Sequence, residues 1–491
     1  MGILDKIIMR RRGIPTGLSL DDAAALLKTT PDALSSFEKA YQRYAIDVDE
    51  NEDDPFHVNS RMAAKRNWGA DSGIDRDLQH RIVNELLADT KVYAFDGDLS
   101  VAGSAKTLTF PAASSQRVVL EDISKLPPEF RPQLSGDLMD KDIGQDSYPI
   151  LLEYYKIFLE ERNPKKKQLA YNLFRQGLDI LDLDPITYEI LNMNRNSMGN
   201  WLPALVEACR GTDFFHIPAT RIATVPLPLL QLTHIQYETL TRATKDIVNE
   251  WAMKAFGLDV EREYFVKTGT YSSKFDFRNA YVHDPQEVRE LGEYLLYIHY
   301  QALTYAGYNN SMSVSMYGMS TTREWCVRDF IRNKENCPSI YKGLPLHTEY
   351  RVFVDCDTCK VLGLANYWEP SVMKTRFESG AANHSIHDAH DYVIYKSYED
   401  TLTDRFEQNK QLVADKVKAI LPRLDLKGQW SIDVMQNGDD FWVIDMAVAE
   451  NSFYYQDVVA PEDRRPLPEN WLPKLGASVS PRLKPWACEK S

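Results

Sequence analysis

Apolar and polar positions alternate with a period of two in several short stretches of this chain and recur every three to four residues in several longer ones, the marks of strands and amphipathic helices. The clearest alternation lies near the end. Gly428-Gln429-Trp430-Ser431-Ile432-Asp433-Val434-Met435 and Phe441-Trp442-Val443-Ile444-Asp445-Met446-Ala447 flank the polar run Gln436-Asn437-Gly438-Asp439-Asp440, which predicts a hairpin. Further strands are expected at residues 264–267, 325–331, 349–354 and 361–368. Helical spacing predicts two short helices within 19–45, a helix over 237–256 ending at Gly257, one over 287–305 and one over 404–421. Between 74 and 215 the pattern is mostly helical, interrupted at Leu183-Asp184-Pro185 and at residues 193–200. Pro218, Pro226 and Pro228 punctuate an extended stretch, and Tyr392 and Tyr395 read as a strand.

These elements divide the 491 residues into a helical N-terminal segment with an acidic linker (1–73), a mostly helical accessory region (74–215), a mixed region (216–460) and a Pro-rich irregular tail (461–491). The order of strands and helices in the third part predicts an α+β fold. Composition narrows the class. A net charge of −14 argues against nucleic acid as a partner, and Arg10-Arg11-Arg12 and Lys165-Lys166-Lys167 read as solvated faces. Six cysteines in so long a chain make no disulfide framework. Cys356 and Cys359 form a single CxxC on an expected turn, without the second pair a zinc site needs. No apolar run approaches a membrane span, and the first residues lack a signal-peptide core. Gly2 alone, with Lys6 where Ser or Thr is required, does not make a myristoylation signal. The expected compartment is a reducing cytoplasm.

The predicted hairpin carries one aspartate inside each apolar strand. Asp433 and Asp445 would face each other, and paired buried carboxylates call for a cation. An oxygen-only pair suits magnesium brought in with nucleotide phosphates. Lys267 closes a strand before the small polar loop Thr268-Gly269-Thr270-Tyr271-Ser272-Ser273-Lys274, so it and the loop's donors can reach phosphate; the bland reading is a solvated edge lysine. Arg351, in His347-Thr348-Glu349-Tyr350-Arg351-Val352-Phe353-Val354, shares a strand face with Glu349 and Phe353. It suits phosphate oxygens or a cross-strand ion pair equally well. His384, His387 and His390 are spaced by three and read as a polar loop over the site or as metal ligands. The run from Asn309 to Ser315 reads as a wet-faced strand. There is no GxxxxGK[ST] loop, kinase set or dinucleotide fingerprint.

Taken in order, a lysine strand, a charged strand at 325–331, Glu349-Tyr350-Arg351-Val352-Phe353-Val354, Ile432-Asp433-Val434 and Val443-Ile444-Asp445-Met446 resemble the ATP-grasp superfamily. Within it the pattern is most similar to the eukaryotic cell-division-cycle family that assists assembly of translation initiation factor 2. The similarity spans about residues 216–460. It implies an ATP-grasp catalytic region behind a mostly helical N-terminal region. It also implies that Lys267, Ser272, Ser273, Lys274 and Arg351 hold ATP phosphates, with Lys267 and Arg351 acting in catalysis. Asp329, Phe330 and Ile331 become the hinge that pairs with adenine, and Asp433 and Asp445 the magnesium ligands. The family places an asparagine two residues after the second acid; this chain has Ala447, so Glu450 or Asn451 is expected to complete the metal set. The implied activity is Mg-ATP-dependent joining of a carboxylate, activated as an acyl phosphate, to an amine on an unidentified acceptor, with a peptide or protein among the candidates. The alternative is an ATP-binding assembly factor for a protein partner.

Overall fold

The computed structural model describes residues 75–111, 194–308, 322–379 and 386–465, a few isolated positions between 157 and 192, and Ser320; of 306–308, 378–379 and 386–390 it describes the backbone only. Expectations for the N-terminal helices, residues 309–315, the side chains of His384, His387 and His390, and the tail beyond 465 lie outside these residues.

The described residues begin with α1 (Arg76–Ala88) and the hairpin β1 (Lys91–Phe95) and β2 (Ala105–Thr109), and include next α2 (Leu202–Cys209), β3 (Phe215–His216), β4 (Thr220–Thr224) and α3 (Leu227–Gln231). The region read as mostly helical therefore supplies strands too, and β1 pairs antiparallel with β4 across the expected boundary near 215. Short strands of mixed burial such as Ala105–Thr109, with most residues exposed or half-exposed, carry too little alternation to announce themselves.

Next come α4 (Arg242–Phe256), β5 (Tyr264–Thr268), β6 (Tyr281–Val282), α5 (Pro285–Arg289), α6 (Leu291–Tyr308) and β7 (Glu324–Asp329). The helix expected from 237 starts later, where the Thr241 hydroxyl caps the backbone N–H of Thr244, and it ends at Gly257 in the left-handed region (φ 53°). The helix expected over 287–305 is two helices. Asp284, Pro285 and Glu287 open the first with a capping box, and the chain breaks at Glu290. Gly292 lets α6 lie against α4, since a Cβ there would sit 2.5 Å from the carbonyl oxygen of Val248. One antiparallel sheet runs β2-β1-β4-β7-β5-β6. Val266, Trp325 and Val327 point from it into a core shared with α4 and α6, where Trp251 and Tyr294 are fully buried. Burying each such side chain stabilises the fold by roughly 1.5–3 kcal/mol.

The small pair β8 (Ser339–Ile340) and β9 (Leu344–Pro345) leads to β10 (Thr348–Asp355), β11 (Lys360–Asn366), α7 (Pro370–Ser379), α8 (Ile386–Ile420), β12 (Gln429–Asn437), β13 (Asp440–Val448) and α9 (Tyr455–Val458). The helix expected over 404–421 is thus the end of a 35-residue helix, about 52 Å long at 1.5 Å per residue. Tyr392 and Tyr395 lie on it and not on a strand. The hairpin and strand expectations for 349–366 and 429–447 match the observed elements. These strands form a second sheet, β11-β10-β12-β13-β3, antiparallel except that β3 runs parallel to β13. Tyr350, Val352, Ile432, Val434, Val443 and Met446 point into a core under α2 and α8. The overall class is α+β.

Candidate functional site

The candidate site forms where the two sheets meet. Arg351 on β10, Asp433 on β12 and Asp445 on β13 occupy directly opposed positions of three adjacent strands. Arg351 grips Asp433 with two hydrogen bonds, Nε to Oδ1 at 2.8 Å and Nη2 to Oδ2 at 2.6 Å. Both are largely buried, at 13% and 8% side-chain exposure. Of the two readings left open for Arg351, the cross-strand ion pair is therefore present. The paired carboxylate draws its affinity for protons up, so Arg351 is held charged even against its burial. Asp445 is 45% exposed, and Lys267 reaches it from the other sheet, Nζ to Oδ1 at 3.2 Å. The lysine itself is 4% exposed. It is not the solvated edge lysine of the bland reading.

A β-bulge makes this alignment. Asp433 stands opposite Asp445, but Val434 stands opposite Val443, so Ile444 is the extra residue. By strict alternation Asp445 would share the core face of Phe441 and Val443. The bulge turns it away, and Met446 and Val448 take up the core face instead. The displaced carbonyl of Ile444 accepts a hydrogen bond from Nη1 of Arg328 on β7, which joins the two sheets. Arg328 is 4% exposed. Its Nε donates to the Thr220 hydroxyl at 3.2 Å, and Nη2 has no partner. Burial pushes its pKa down to about 10, and the nearby Asp445 pulls it back up. Sequence reasoning missed Arg328. Its signal was a charge on the same strand face as Cys326 and Glu324, opposite the apolar Trp325 and Val327.

The loop after Lys267 is more closed than expected. The Thr268 hydroxyl accepts from the N–H groups of Thr270 and Tyr271, and the N–H of Gly269 donates to the Glu324 carbonyl. Gly269 is required by the close approach of Ser197 and Thr322, since a Cβ would run into Ser197 Oγ and lie 2.5 Å from Thr322 Oγ1. The Ser273 hydroxyl is buried and donates to Gln301 Oε1 at 2.6 Å. Ser272 and Lys274 remain directed by no such bond. The loop therefore offers fewer free donors than the sequence suggested.

Lys274 Nζ lies 4.3 Å from the centre of the Tyr367 ring and 5.6 Å from that of Phe275. Arg351 lies over the same Tyr367 ring at 4.9 Å. Glu349, two residues before Arg351 on β10, is 9% exposed. Burial pushes its carboxyl up, Lys274 opposes this, and Asp433 adds to it. Burial likewise holds the Lys274 ammonium below the usual lysine range, against the pull of Glu349.

Asp329, Phe330 and Ile331 follow at the end of β7. The N–H of Asp329 donates to the Ala219 carbonyl and that of Phe330 to the Glu263 carbonyl. The Asp329 carboxylate is paired with Arg262. Two of the three expected hinge donors are thus engaged by protein. Phe330 stacks near Tyr281, at 4.2 Å between ring centres, and Phe277 lies between Phe265 and Phe330. Glu450 and Asn451 lie in a single turn after β13. Asn451 Oδ1 accepts from Asn196 Nδ2 at 3.0 Å, and Asn196 Oδ1 accepts from the N–H of Val448. Among the described residues no group of three or more His, Cys, Asp or Glu side chains is arranged to hold a metal ion. Cys356 and Cys359 sit on the turn between β10 and β11 as free thiols.

Three histidines, His234, His299 and His347, are each pushed down to about 4 by burial. His299 is the clearest. Its Nδ1 accepts from Trp325 Nε1 at 3.0 Å and its Nε2 lies 3.2 Å from the Ser320 carbonyl, so the ring is neutral with the proton on Nε2. The unfolded chain takes up these protons near pH 6.5 and the folded chain near 4. Stability from these groups is therefore complete above about 6.5 and declines as pH falls towards 4. Urea midpoints should drop over that range, and His299→Gln should flatten the drop. An equal slope in the variant would exclude His299 as a contributor.

No family model matches the chain, and no curated protein matches it. The structure of C-terminally truncated Cdc123 from Schizosaccharomyces pombe is similar at 12% identity and a TM-score of 0.30, covering 57% of this chain and 94% of that one. The structure of Cdc123 from Schizosaccharomyces pombe gives 12% identity and 0.30, covering 56% and 96%. At this TM-score the superposition carries no weight, and function must be read from the chain's own residues.

Proposed function

We propose that the junction of the two sheets binds Mg-ATP and transfers its terminal phosphoryl group to a carboxylate, which an amine then captures. The observation that supports this is the convergence of Lys267, Arg328 and Arg351 on the in-register pair Asp433 and Asp445. Phosphoryl transfer asks little covalent chemistry of a protein; it needs charge placed around the moving group. The residues fit a polyphosphate. Arg328 keeps an unpartnered guanidinium nitrogen in a buried position, and a charged donor left so is costly unless a ligand takes it. Asp445, half in water, is the carboxylate placed to hold magnesium, with Asp433 behind it. Magnesium, when bound, neutralises phosphate charge and orients the oxygens. Lys267 and Arg351 bind and position phosphate, and the half-buried Phe265 and Phe330 rings, both packed against the buried Phe277, offer a stacking surface for a base.

Calorimetry with ATP and magnesium tests the reading. The protein should bind ATP with an affinity that rises with magnesium, and Asp445→Asn should lose the magnesium-dependent part. No heat of binding under either condition would sink it.

A second reading is favoured by one feature. Asp433 already spends both oxygens on Arg351, which leaves Asp445 as the one half-exposed carboxylate of the pair for the ion. A site so locked suits an assembly factor for a protein partner, in which ATP supports docking without turnover. Phosphate release on adding amine and carboxylate acceptors favours the ligase; a nucleotide-dependent rise in melting temperature with no release favours the binder.

A further inference from the structure

Lys274, which the resemblance offers to phosphate, and Glu349 stand beside the proposed phosphate site, and the reading above gives neither a role. Lys274 is half-buried between the rings of Tyr367 and Phe275. It makes no hydrogen bond or ion pair with any described residue. Two guanidinium groups share those rings: Arg351 lies over Tyr367, and Arg376 lies over Phe275 at 5.2 Å. Glu349 is 9% exposed, on the same strand face as Arg351. Its carboxylate likewise makes no hydrogen bond or ion pair among the described residues. The other two acids of the site are each held by a cation, Asp433 by Arg351 and Asp445 by Lys267. A mostly buried carboxylate without a direct protein partner keeps its lone pairs for water or a ligand.

A lysine becomes a nucleophile when its ammonium is desolvated and crowded by other cations. Lys274 is half-buried and shares its rings with two guanidinium groups; burial holds its ammonium below the usual range, Arg351 and Arg376 add to this, and Glu349 and Asp433 oppose it. The same cations attract an anionic electrophile, and Glu349 is the acid whose field reaches Lys274 most strongly.

We propose that Lys274 is an acylation site, a nucleophilic amine that takes an acyl group from an acyl phosphate, with Glu349 receiving its proton. The nitrogen–carbon bond forms as the amine attacks the acyl carbon. The carbon–oxygen bond to phosphate breaks, and its electron pair leaves on inorganic phosphate. The proton released from nitrogen passes through a water to the Glu349 carboxylate, because the two groups stand beyond direct hydrogen-bond reach of each other. No oxidant, reductant or further reactant is needed. The idea deepens the acyl-phosphate reading of the junction by naming an acceptor amine within the chain. It also stands apart in the test, because a ready-made acyl phosphate needs no ATP.

The probe is acetyl phosphate, added to the full chain without nucleotide, with acetylation at each lysine followed over time by mass spectrometry. Lys274 should be acetylated at least tenfold faster than the exposed lysines of the same sample, such as Lys360 and Lys374. Glu349→Gln should slow Lys274 about tenfold and leave those lysines unchanged. Arg376→Met, on the exposed side of Phe275, should slow it with the fold intact. A Lys274 rate equal to that of the exposed lysines overturns the proposal. So does a Glu349→Gln or Arg376→Met variant that acetylates Lys274 at the wild-type rate. If Glu349→Gln speeds every lysine, the fold has loosened and Arg376→Met alone decides. Protection by Mg-ATP is a separate arm: its absence beside fast labelling counts against the nucleotide site and not against Lys274.

Discussion

Asp433→Ala should destabilise the protein by about 3–5 kcal/mol, the cost of stranding a buried charge. The reason is Arg351. Its guanidinium is 13% exposed and spends two hydrogen bonds on Asp433. Without the carboxylate the cation stays buried, with a long contact to the Phe453 carbonyl and the Tyr367 ring for company. The double variant Arg351→Met/Asp433→Leu removes both charges and should recover most of the lost stability, because a buried pair is worth little more than well-packed apolar groups. It should still fail to bind Mg-ATP. The urea midpoint and calorimetry read these two properties separately. A single variant as stable as wild type would mean that Arg351 finds other solvation, and that the cross-strand pair does not organise the site.

Lys267→Met should lower ATP affinity by roughly 1.5–3 kcal/mol, the usual weight of a hydrogen bond to a charged group, which is on the order of tenfold to a hundredfold in Kd. Stability should change much less. Asp445 loses a partner but is 45% exposed and turns to water, while the methionine fills the space of the 4% exposed lysine. The separation of the two effects is the diagnostic. An unchanged Kd would remove Lys267 from the phosphate site; a large loss of stability would make it a structural cation joining the sheets.

Much of the second sheet was legible because its strands alternate cleanly and its hairpin turn carries Asn437 and Gly438, the latter with a φ of 67°. Lys267, Arg351, Asp433 and Asp445 could be singled out because each is a charge set among apolar neighbours. Their meeting could not be read, since Lys267 and Asp445 lie 178 residues apart. Arg328 was hidden because the strand that carries it looks like any strand with one polar face. The hairpin at 91–109 was hidden because its outer strand, β2, lies at the sheet edge and buries little, and β1 is only five residues long. The long α8 was misread at its start because Tyr392 and Tyr395 are as much at home on a strand as on a helix, and only packing against Trp368 and Phe377 decides. The loop at 268–273 was read as a set of free donors, and short side chains such as Thr268 instead used them locally.

The bulge at Ile444 gives the hairpin a sensitivity to length as well as to chemistry. Between Val443 and Met446 the apolar rhythm skips a beat, and that skip decides which side of the sheet Asp445 occupies. Many substitutions at Ile444 would keep the count and so the orientation. Loss of this one residue would bring Phe441, Val443, Met446 and Val448 into strict alternation and keep Asp445 off the core face, but it would remove the carbonyl that Arg328 holds and with it a tie between the two sheets. Two residues added at Gly438, where a Cβ would meet nothing within 4 Å, would leave every strand position in phase. Among descendants of this sequence, then, length should vary freely at the turn and stay fixed six residues later, even where the amino acids themselves have drifted.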